Sequence, residues 1–74
     1  MDTTLSLYRI FYTVAQCGSI SAAARHLYIS QPAISKSISN LENELQTHLF
    51  ERTSRGVSLT EEGQLLFHHV SDAF

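Results

Sequence analysis

Residues 19–45 contain two helical apolar patterns separated by a very short break, and this pairing limits the possible folds. In the first pattern, apolar residues recur at i, i+3, i+4 and i+7, namely at Ile20, Ala23, Ala24 and Leu27. The second pattern follows one helix face over three turns, at Ile34, Ile38, Leu41 and Leu45. Ser19 and Ser30 are suited to cap the first and the second of these two helices, and Pro32 lies where a missing N–H costs nothing. Two helices joined by about three or four residues predict a helix-turn-helix.

The outer face of the second helix has short polar side chains rather than the long charged ones typical of a solvent-exposed face. On a helical wheel, the residues that point outward are Pro32, Lys36, Ser39, Asn40 and Asn43, and those on a flank are Gln31 and Ser35. Ser and Asn are weak helix formers, so their presence there sacrifices helicity. Their short donor and acceptor groups would let the helix approach base edges in the major groove. The pattern favours DNA recognition over a plain polar face on a small helical domain.

Short motifs follow one another along the chain in a fixed order. They are Ala22-Ala23-Ala24 with Leu27, SQPAISK at residues 30–36, Leu41-Glu42, Leu45, LFER at residues 49–52, Arg55-Gly56 and LTEEG at residues 59–63. In this order and spacing they resemble the N-terminal domain of LysR-type transcriptional regulators. A single motif such as SQPA is weakly specific, whereas the whole set is highly specific and covers essentially the entire chain. The resemblance implies a sequence-specific DNA-binding domain, with an effector-binding domain following it in the full-length regulator.

The resemblance also implies roles for individual residues. Bases would be read from the third helix of the chain by Gln31, Pro32, Ser35 and Lys36, and Ser39 lies on the same outward face. The DNA backbone or minor groove would be held by Ser30, Arg52 and Arg55. The family usually has arginine where this chain has Lys36. Lysine cannot make the planar two-pronged contact to guanine, so we expect looser base choice at that position.

The remaining segments predict a mainly α winged helix-turn-helix, with a three-helix core, a small β-hairpin wing and the start of a long linker helix. The first helix is expected over residues 4–16, with an apolar stripe at Leu7, Ile10, Phe11, Val14 and Ala15. Residues 49–52 predict the first strand of the wing, residues 53–56 its turn, and residues 57–59 the return strand. We expect residues 1–59 to form the DNA-binding domain.

Residues 60–74 predict the beginning of a linker and dimerisation helix that is cut short. Thr60 is its expected N-cap, and Leu66 and Phe67 are expected to pack on the first helix. Val70, Ala73 and Phe74 lie further along and are expected to face a second subunit. The expected partners are therefore double-stranded DNA and a second copy of the chain. By resemblance, the full-length protein would form a tetramer.

The end of the third helix departs from the family pattern, which has a glycine where this chain has Gln46. Glutamine tolerates the left-handed conformation poorly. We therefore expect Thr47 and His48 to help end this helix instead.

The net charge of the chain favours functions other than DNA binding. The formal net charge is −2, with seven carboxylates against five Lys and Arg side chains, which is unusual for a DNA-binding domain. This acidic balance favours the main alternative, a protein-interaction winged helix without a DNA role. Another winged-helix regulator, such as the molybdate-responsive type, is a second alternative.

Cys17 is alone, and the four histidines form no metal-binding motif. We expect no catalytic site, no metal or other cofactor, no membrane segment and a cytoplasmic location.

Overall fold

The first helix, α1, is the element against which the other helices pack. The computed structural model describes residues 3–73, and the side chains of residues 6–73. Its elements are α1 (Thr3–Cys17), α2 (Ile20–Leu27), α3 (Gln31–Leu45), β1 (Phe50–Thr53), β2 (Gly56–Leu59) and α4 (Glu61–Ser71). α1 contacts α2, α3 and α4. The predicted mainly α winged helix-turn-helix is confirmed. None of the helices in residues 3–73 combines the length and the apolar character needed to cross a membrane.

Two apolar clusters form the core, and α1 and α3 contribute to both. The first joins α1, α2 and α3 through Val14, Ala23, Ala24, Ile34 and Ile38. The second has Phe11, Leu41 and Leu49 at its centre, and α4 packs on it through Leu66, Phe67 and Val70. Phe50 contacts both clusters, and its ring lies 5.3 Å from that of Phe11 between centroids. The wing and α4 are therefore anchored on the same core as the helix-turn-helix.

Side-chain caps begin three of the four helices at the predicted residues. The hydroxyl oxygens of Ser19, Ser30 and Thr60 accept hydrogen bonds from the backbone N–H groups three residues later, at 3.1, 3.3 and 3.0 Å. Each bond satisfies one of the N–H groups that a helix start leaves without a partner. The caps place the connection between α2 and α3 at residues 28–30, which is short enough to hold the two helices at a fixed angle.

The C-terminus of α3 agrees with the prediction for Thr47, whose N–H helps to end the helix, but not with the prediction for Gln46. Gln46 itself adopts the left-handed conformation, with φ 53° and ψ 45°. Its N–H donates to the carbonyl of Asn43 at 3.3 Å, and the N–H of Thr47 donates to that of Glu42 at 3.1 Å. These two bonds form a Schellman cap, which outweighs a strain of about 1–2 kcal/mol for a residue with a Cβ. Leu45, predicted to point inward, is 40% exposed at the end of the helix.

The wing is a four-pair antiparallel hairpin that closes on Thr53 and Gly56. β1 begins at Phe50 rather than at Leu49, and the Thr60 N–H donates to the Leu49 carbonyl at 3.0 Å, one pair beyond the ends of the two strands. The N–H of Val57 donates to the carbonyl of Gly18 at 3.1 Å, which ties the hairpin to the loop between α1 and α2. A Cβ at Gly56 would overlap that same carbonyl oxygen.

α4 ends at Ser71, earlier than the predicted helix, which continued to Phe74. Val70 is half-buried against the second core cluster of its own chain. Val70, which was expected to face a second subunit, therefore packs on the core of its own chain instead, because α4 contacts α1. Phe74 lies outside the described residues.

Candidate nucleic-acid interface

The outer face of α3 is polar and open to solvent. Gln31, Pro32, Lys36 and Ser39 are exposed, and Ser35 is half-buried. Ile34, Ile38 and Leu41 are buried on the opposite side, with 0–8% of their surface exposed. The inner residues hold the helix on the core, so that the whole row of outward side chains is available to a partner.

A cleft between α3 and the wing brings together three of the predicted DNA-binding residues. Ser35 and Ser39 line it from α3, and Arg52 lines it from β1. Its volume is about 250 Å³. Successive side chains of a strand point to opposite faces, so Arg52 shares the face of Phe50, whereas Glu51 lies on the other face with Ser58. The hairpin thereby separates its positive charge from the neighbouring carboxylate.

Glu42 fixes the base of the wing on α3, a role that the sequence did not reveal. One carboxylate oxygen, Oε2, accepts the backbone N–H of Leu49 at 2.7 Å and that of Phe50 at 3.4 Å. These two groups lie where the chain leaves the loop and enters β1. No periodicity or motif marks this contact, because it spans seven and eight residues and depends on how the loop closes.

Ser30 and Gln31 line a second, open cleft at the N-terminal end of α3. The other side chains around it include Ser21, Arg25 and Tyr28 from α2 and the turn. The Ser30 oxygen already accepts the Ala33 N–H, which leaves its own O–H group to donate to a partner. The two clefts share no residue, and five of the eight predicted interface residues line one or the other. Pro32, Lys36 and Arg55 line neither cleft.

Arg55 occupies the turn of the wing and points away from the core. Its N–H donates to the Thr53 hydroxyl oxygen at 3.3 Å, and that hydroxyl donates to the Gly56 carbonyl at 3.3 Å. These bonds shape the turn and leave the guanidinium exposed. In the part of the chain that the structure describes, no carboxylate pairs with Lys36, Arg52 or Arg55. Three unneutralised cations therefore lie on α3 and the wing, although the chain as a whole is acidic.

The residues predicted to meet a second subunit are not grouped on one exposed face. Ala73 is exposed beyond the end of α4, whereas Val70 packs on the core and Phe74 lies outside the described residues. The large exposed apolar side chain on α4 is that of Leu65, at 62%. The sequence predicted that Leu66 packs inward, and Leu66 does pack on the second core cluster, which leaves its neighbour Leu65 outward.

The titratable side chains do not assemble a metal site in residues 3–73. Within that range, no three His, Cys, Asp or Glu side chains lie close enough to hold one ion. Cys17 is an exposed free thiol at the end of α1.

Comparisons with known proteins agree with this geometry. A family model described as bacterial regulatory helix-turn-helix protein, lysR family, matches residues 5–64. An uncharacterized HTH-type transcriptional regulator of Sinorhizobium fredii is 51% identical over 72 residues, which are 97% of this chain and 24% of that protein. The curated relatives that we compared are all several times longer, since this chain spans a quarter or less of each.

Two solved structures are similar over 99% of this chain. The DNA-binding domain of CbnR in complex with DNA has a TM-score of 0.88 and 33% identity, and 82% of that chain is covered. The DNA-binding domain of BenM in complex with benA site 1 DNA has a TM-score of 0.88 and 37% identity, with 83% covered.

Proposed function

This chain belongs to the lysR family of bacterial regulatory helix-turn-helix proteins, and from that premise we propose that it is the sequence-specific DNA-binding domain of a transcriptional regulator. In this proposal α3 enters the major groove and the wing contacts the backbone or minor groove. The structurally similar domains of CbnR and BenM are described in complexes with DNA, which supports the proposal. It does not require an enzymatic site.

The observation that supports this function best is the distribution of charge and side-chain length on one side of the molecule. Lys36, Arg52 and Arg55 are exposed without a carboxylate partner in the described residues. Between them lie short hydroxyl side chains at Ser35 and Ser39, which line the cleft next to Arg52. Cations hold phosphates, and short donors and acceptors allow a helix to come close to base edges.

In the interface that we propose, the residues have two kinds of role. Four residues in the first two turns of α3 read bases: Gln31, Pro32, Ser35 and Lys36. The DNA backbone or the minor groove is held by Ser30, Arg52 and Arg55, with Ser39 beside Arg52 in the cleft. Phosphate contacts fix the register of the domain on the duplex, and base contacts determine the sequence it selects.

For the full-length protein we propose a longer, cytoplasmic regulator that responds to a small-molecule effector. The chain spans a quarter or less of its relatives, which leaves room for a second domain in such a protein. In this proposal residues 1–59 form the DNA-binding domain and residues 60–74 begin the linker helix. Dimers form through that helix and assemble further into tetramers.

A protein-interaction winged helix without a DNA role is the competing function, and the net charge of −2 favours it. Titration of the chain with a random-sequence duplex at several salt concentrations separates the two. Each neutralised phosphate contributes about −0.9 to the slope of log K against log salt, so the two arginines of the wing give a slope of about −1.8. A protein-interaction domain binds no duplex at any salt concentration.

The variant Arg55→Ala tests the wing within the same assay. We expect weaker binding to every duplex and a salt slope flatter by about one unit, because Arg55 contacts phosphate and not a base. Arg9→Ala is the matched control, since it removes an exposed arginine from α1 rather than from the wing. An unchanged slope in Arg55→Ala removes Arg55 from the interface.

A further inference from the structure

Tyr28 combines a strained backbone with a side chain that buries almost nothing. It has φ 58° and ψ 42°, the left-handed conformation, and is 96% exposed. A residue with a Cβ adopts this conformation at a cost of about 1–2 kcal/mol. Packing of the ring does not offset this strain, because the ring is almost fully exposed.

The backbone around Tyr28 explains the left-handed conformation but not the tyrosine. The N–H groups of Tyr28 and Ile29 both donate to the carbonyl of Ala24, which caps α2, and Ile29 then packs on the first core cluster. A glycine or an asparagine would form the same cap with less strain. Its phenol makes no hydrogen bond in the described part of the chain. The side chain therefore contributes nothing evident to the fold.

Arg25 lies one helical turn before Tyr28 and faces the same open cleft. Its Nη1 donates to the Ser21 hydroxyl oxygen at 3.1 Å, and no carboxylate pairs with it among residues 3–73. This single bond positions the guanidinium and leaves most of its donors available. Arg25 and Tyr28 line the cleft together with Ser30 and Gln31, at the N-terminal end of α3.

We propose that Tyr28 and Arg25 form a second binding site for DNA backbone phosphates, separate from the wing. The inference rests on the proposed function. In a helix-turn-helix the first helix of the motif crosses the DNA backbone as the second enters the groove, and Arg25 and Tyr28 lie at the end of that first helix. The guanidinium and the phenol O–H then donate to the phosphodiester oxygens.

This site and the wing hold the backbone at two separated places along the interface. The cleft with Arg52 lies between α3 and the hairpin, whereas the cleft with Arg25 lies at the start of α3, and no residue is common to both. Phosphate contacts on both sides of a recognition helix fix its register in the groove. The site also adds a fourth cation to the interface of an acidic chain.

Tyr28→Asn gives a result that a purely structural role for the tyrosine cannot give. Asparagine tolerates the left-handed conformation, so the melting temperature of the variant stays the same or rises. Its affinity for a random-sequence duplex falls about three- to tenfold, as for the loss of one hydrogen bond. Tyr28→Phe keeps the ring and the strain and loses only the hydroxyl, and we expect the same loss of affinity.

Arg25→Gln tests the charged half of the site by its salt dependence. The slope of log K against log salt becomes flatter by about one unit, and the loss is the same for duplexes of any sequence. Arg9→Gln is the matched control, because it makes the same charge change at an exposed residue of α1 that lines neither cleft. We expect its slope to equal that of the unaltered protein.

The outcomes separate this inference from the function on which it rests. If the unaltered protein binds duplex and Tyr28→Asn binds it equally well, the tyrosine does not contact DNA and the inference is wrong while the function stands. The inference is also wrong, and the function again stands, if the Arg25→Gln and Arg9→Gln variants have the same slope of log K against log salt. If the unaltered protein binds no duplex at low salt, the proposed function and this inference are both overturned.

Discussion

Gly63 is a residue of α4 that leaves no space for a side chain. A Cβ built on it would overlap the carbonyl oxygen of Leu49 and come within 3.0 Å of Leu59 Cδ2. Two adjacent hydrogen bonds make this approach necessary: Thr60 donates its N–H to the Leu49 carbonyl and accepts the Gly63 N–H on its hydroxyl. The glycine therefore allows α4 to begin directly against the loop that leads into the wing.

Gly63→Ala is expected to destabilise the fold, although alanine is the better helix former. Helix propensity alone would favour alanine by about 1 kcal/mol. The overlap with backbone atoms forces α4 away from the loop, at a cost of about 1–3 kcal/mol, so the clash prevails. Chemical denaturation measures the difference, with Gln64→Ala as an exposed control on the same helix. A Gly63→Ala variant that is more stable than the unaltered protein would show that α4 does not have to lie this close to the Leu49 carbonyl.

Lys36 is the cation of α3 at an outward, exposed position among the residues proposed to read bases. We expect Lys36→Ala to weaken binding to a cognate site by about 1–3 kcal/mol, as for a lost base contact. Binding to random sequence should fall less. Equal losses on both kinds of duplex would assign Lys36 to a phosphate instead. Lys36→Arg should sharpen the preference for guanine, because arginine bonds it with two parallel donors.

At the scale of elements, the position of the wing relative to α3 depends on the side chain of Glu42. Its carboxylate oxygen accepts two backbone N–H groups at the entry to β1. The hairpin also bonds to the α1–α2 loop through Val57 and Gly18. A two-stranded hairpin is marginally stable by itself, so these contacts keep Arg52 beside Ser35 and Ser39 in the cleft.

Glu42→Ala is expected to lower both stability and DNA affinity, although it removes a negative charge. Two backbone N–H groups lose their partner, at a cost of about 1–3 kcal/mol. The wing then loosens, and the salt slope becomes flatter as its cations leave the phosphates. Glu42→Gln retains an acceptor oxygen and should restore most of both properties.

Glu44→Ala is the matched control for Glu42, since it removes an exposed carboxylate of α3 that lies two residues after Glu42, about 200° around the helix axis. We expect Glu44→Ala to bind DNA equally or more tightly, because only repulsion from the phosphates is lost. If Glu42→Ala binds as tightly as Glu44→Ala, Glu42 does not position the wing.

At the scale of the whole molecule, one side of α4 packs on the core and the other side is exposed to solvent. Phe67 stacks on the ring of Tyr12 at 5.1 Å between centroids, and Val70 packs on the second cluster. Leu65 is exposed on the same helix. In the proposed dimer the outer side of α4 meets a second copy, and a two-fold axis relates the two recognition helices. The DNA site should then have dyad symmetry.

We expect weak dimers of this chain that dissociate on dilution, measured by sedimentation over a concentration series. Leu65→Asp should weaken association without a large change in stability, because its side chain is exposed. Phe74→Asp, at a residue outside the described range, should also weaken association. Val70→Ala should instead lower the free energy of unfolding, because Val70 packs on its own core. A chain that stays monomeric at high concentration, or a Leu65→Asp variant that associates normally, contradicts dimerisation through this helix.

The sequence by itself determined the order and the type of the elements. Apolar spacing at residues 20–27 and 34–41 predicted α2 and the inward face of α3, and the caps at Ser19, Ser30 and Thr60 predicted where three helices begin. These features depend on residues within one or two turns of each other, so they can be read without the fold. The family motifs followed the same order, and the family model confirmed them.

Only the tertiary structure decided features that join distant parts of the chain. Gln46 and Tyr28 adopt left-handed conformations that their residue types disfavour, because the caps and the packing beyond them outweigh the strain. Val70, which was expected to face a second subunit, packs on the core of its own chain, because α4 contacts α1. The position of Arg52 beside α3 depends on two contacts with the wing. Glu42 accepts the backbone N–H groups at the entry to β1, and the Gly18 carbonyl accepts the N–H of Val57 in β2. Such contacts have no local signal, because each needs both partners already brought together by the fold.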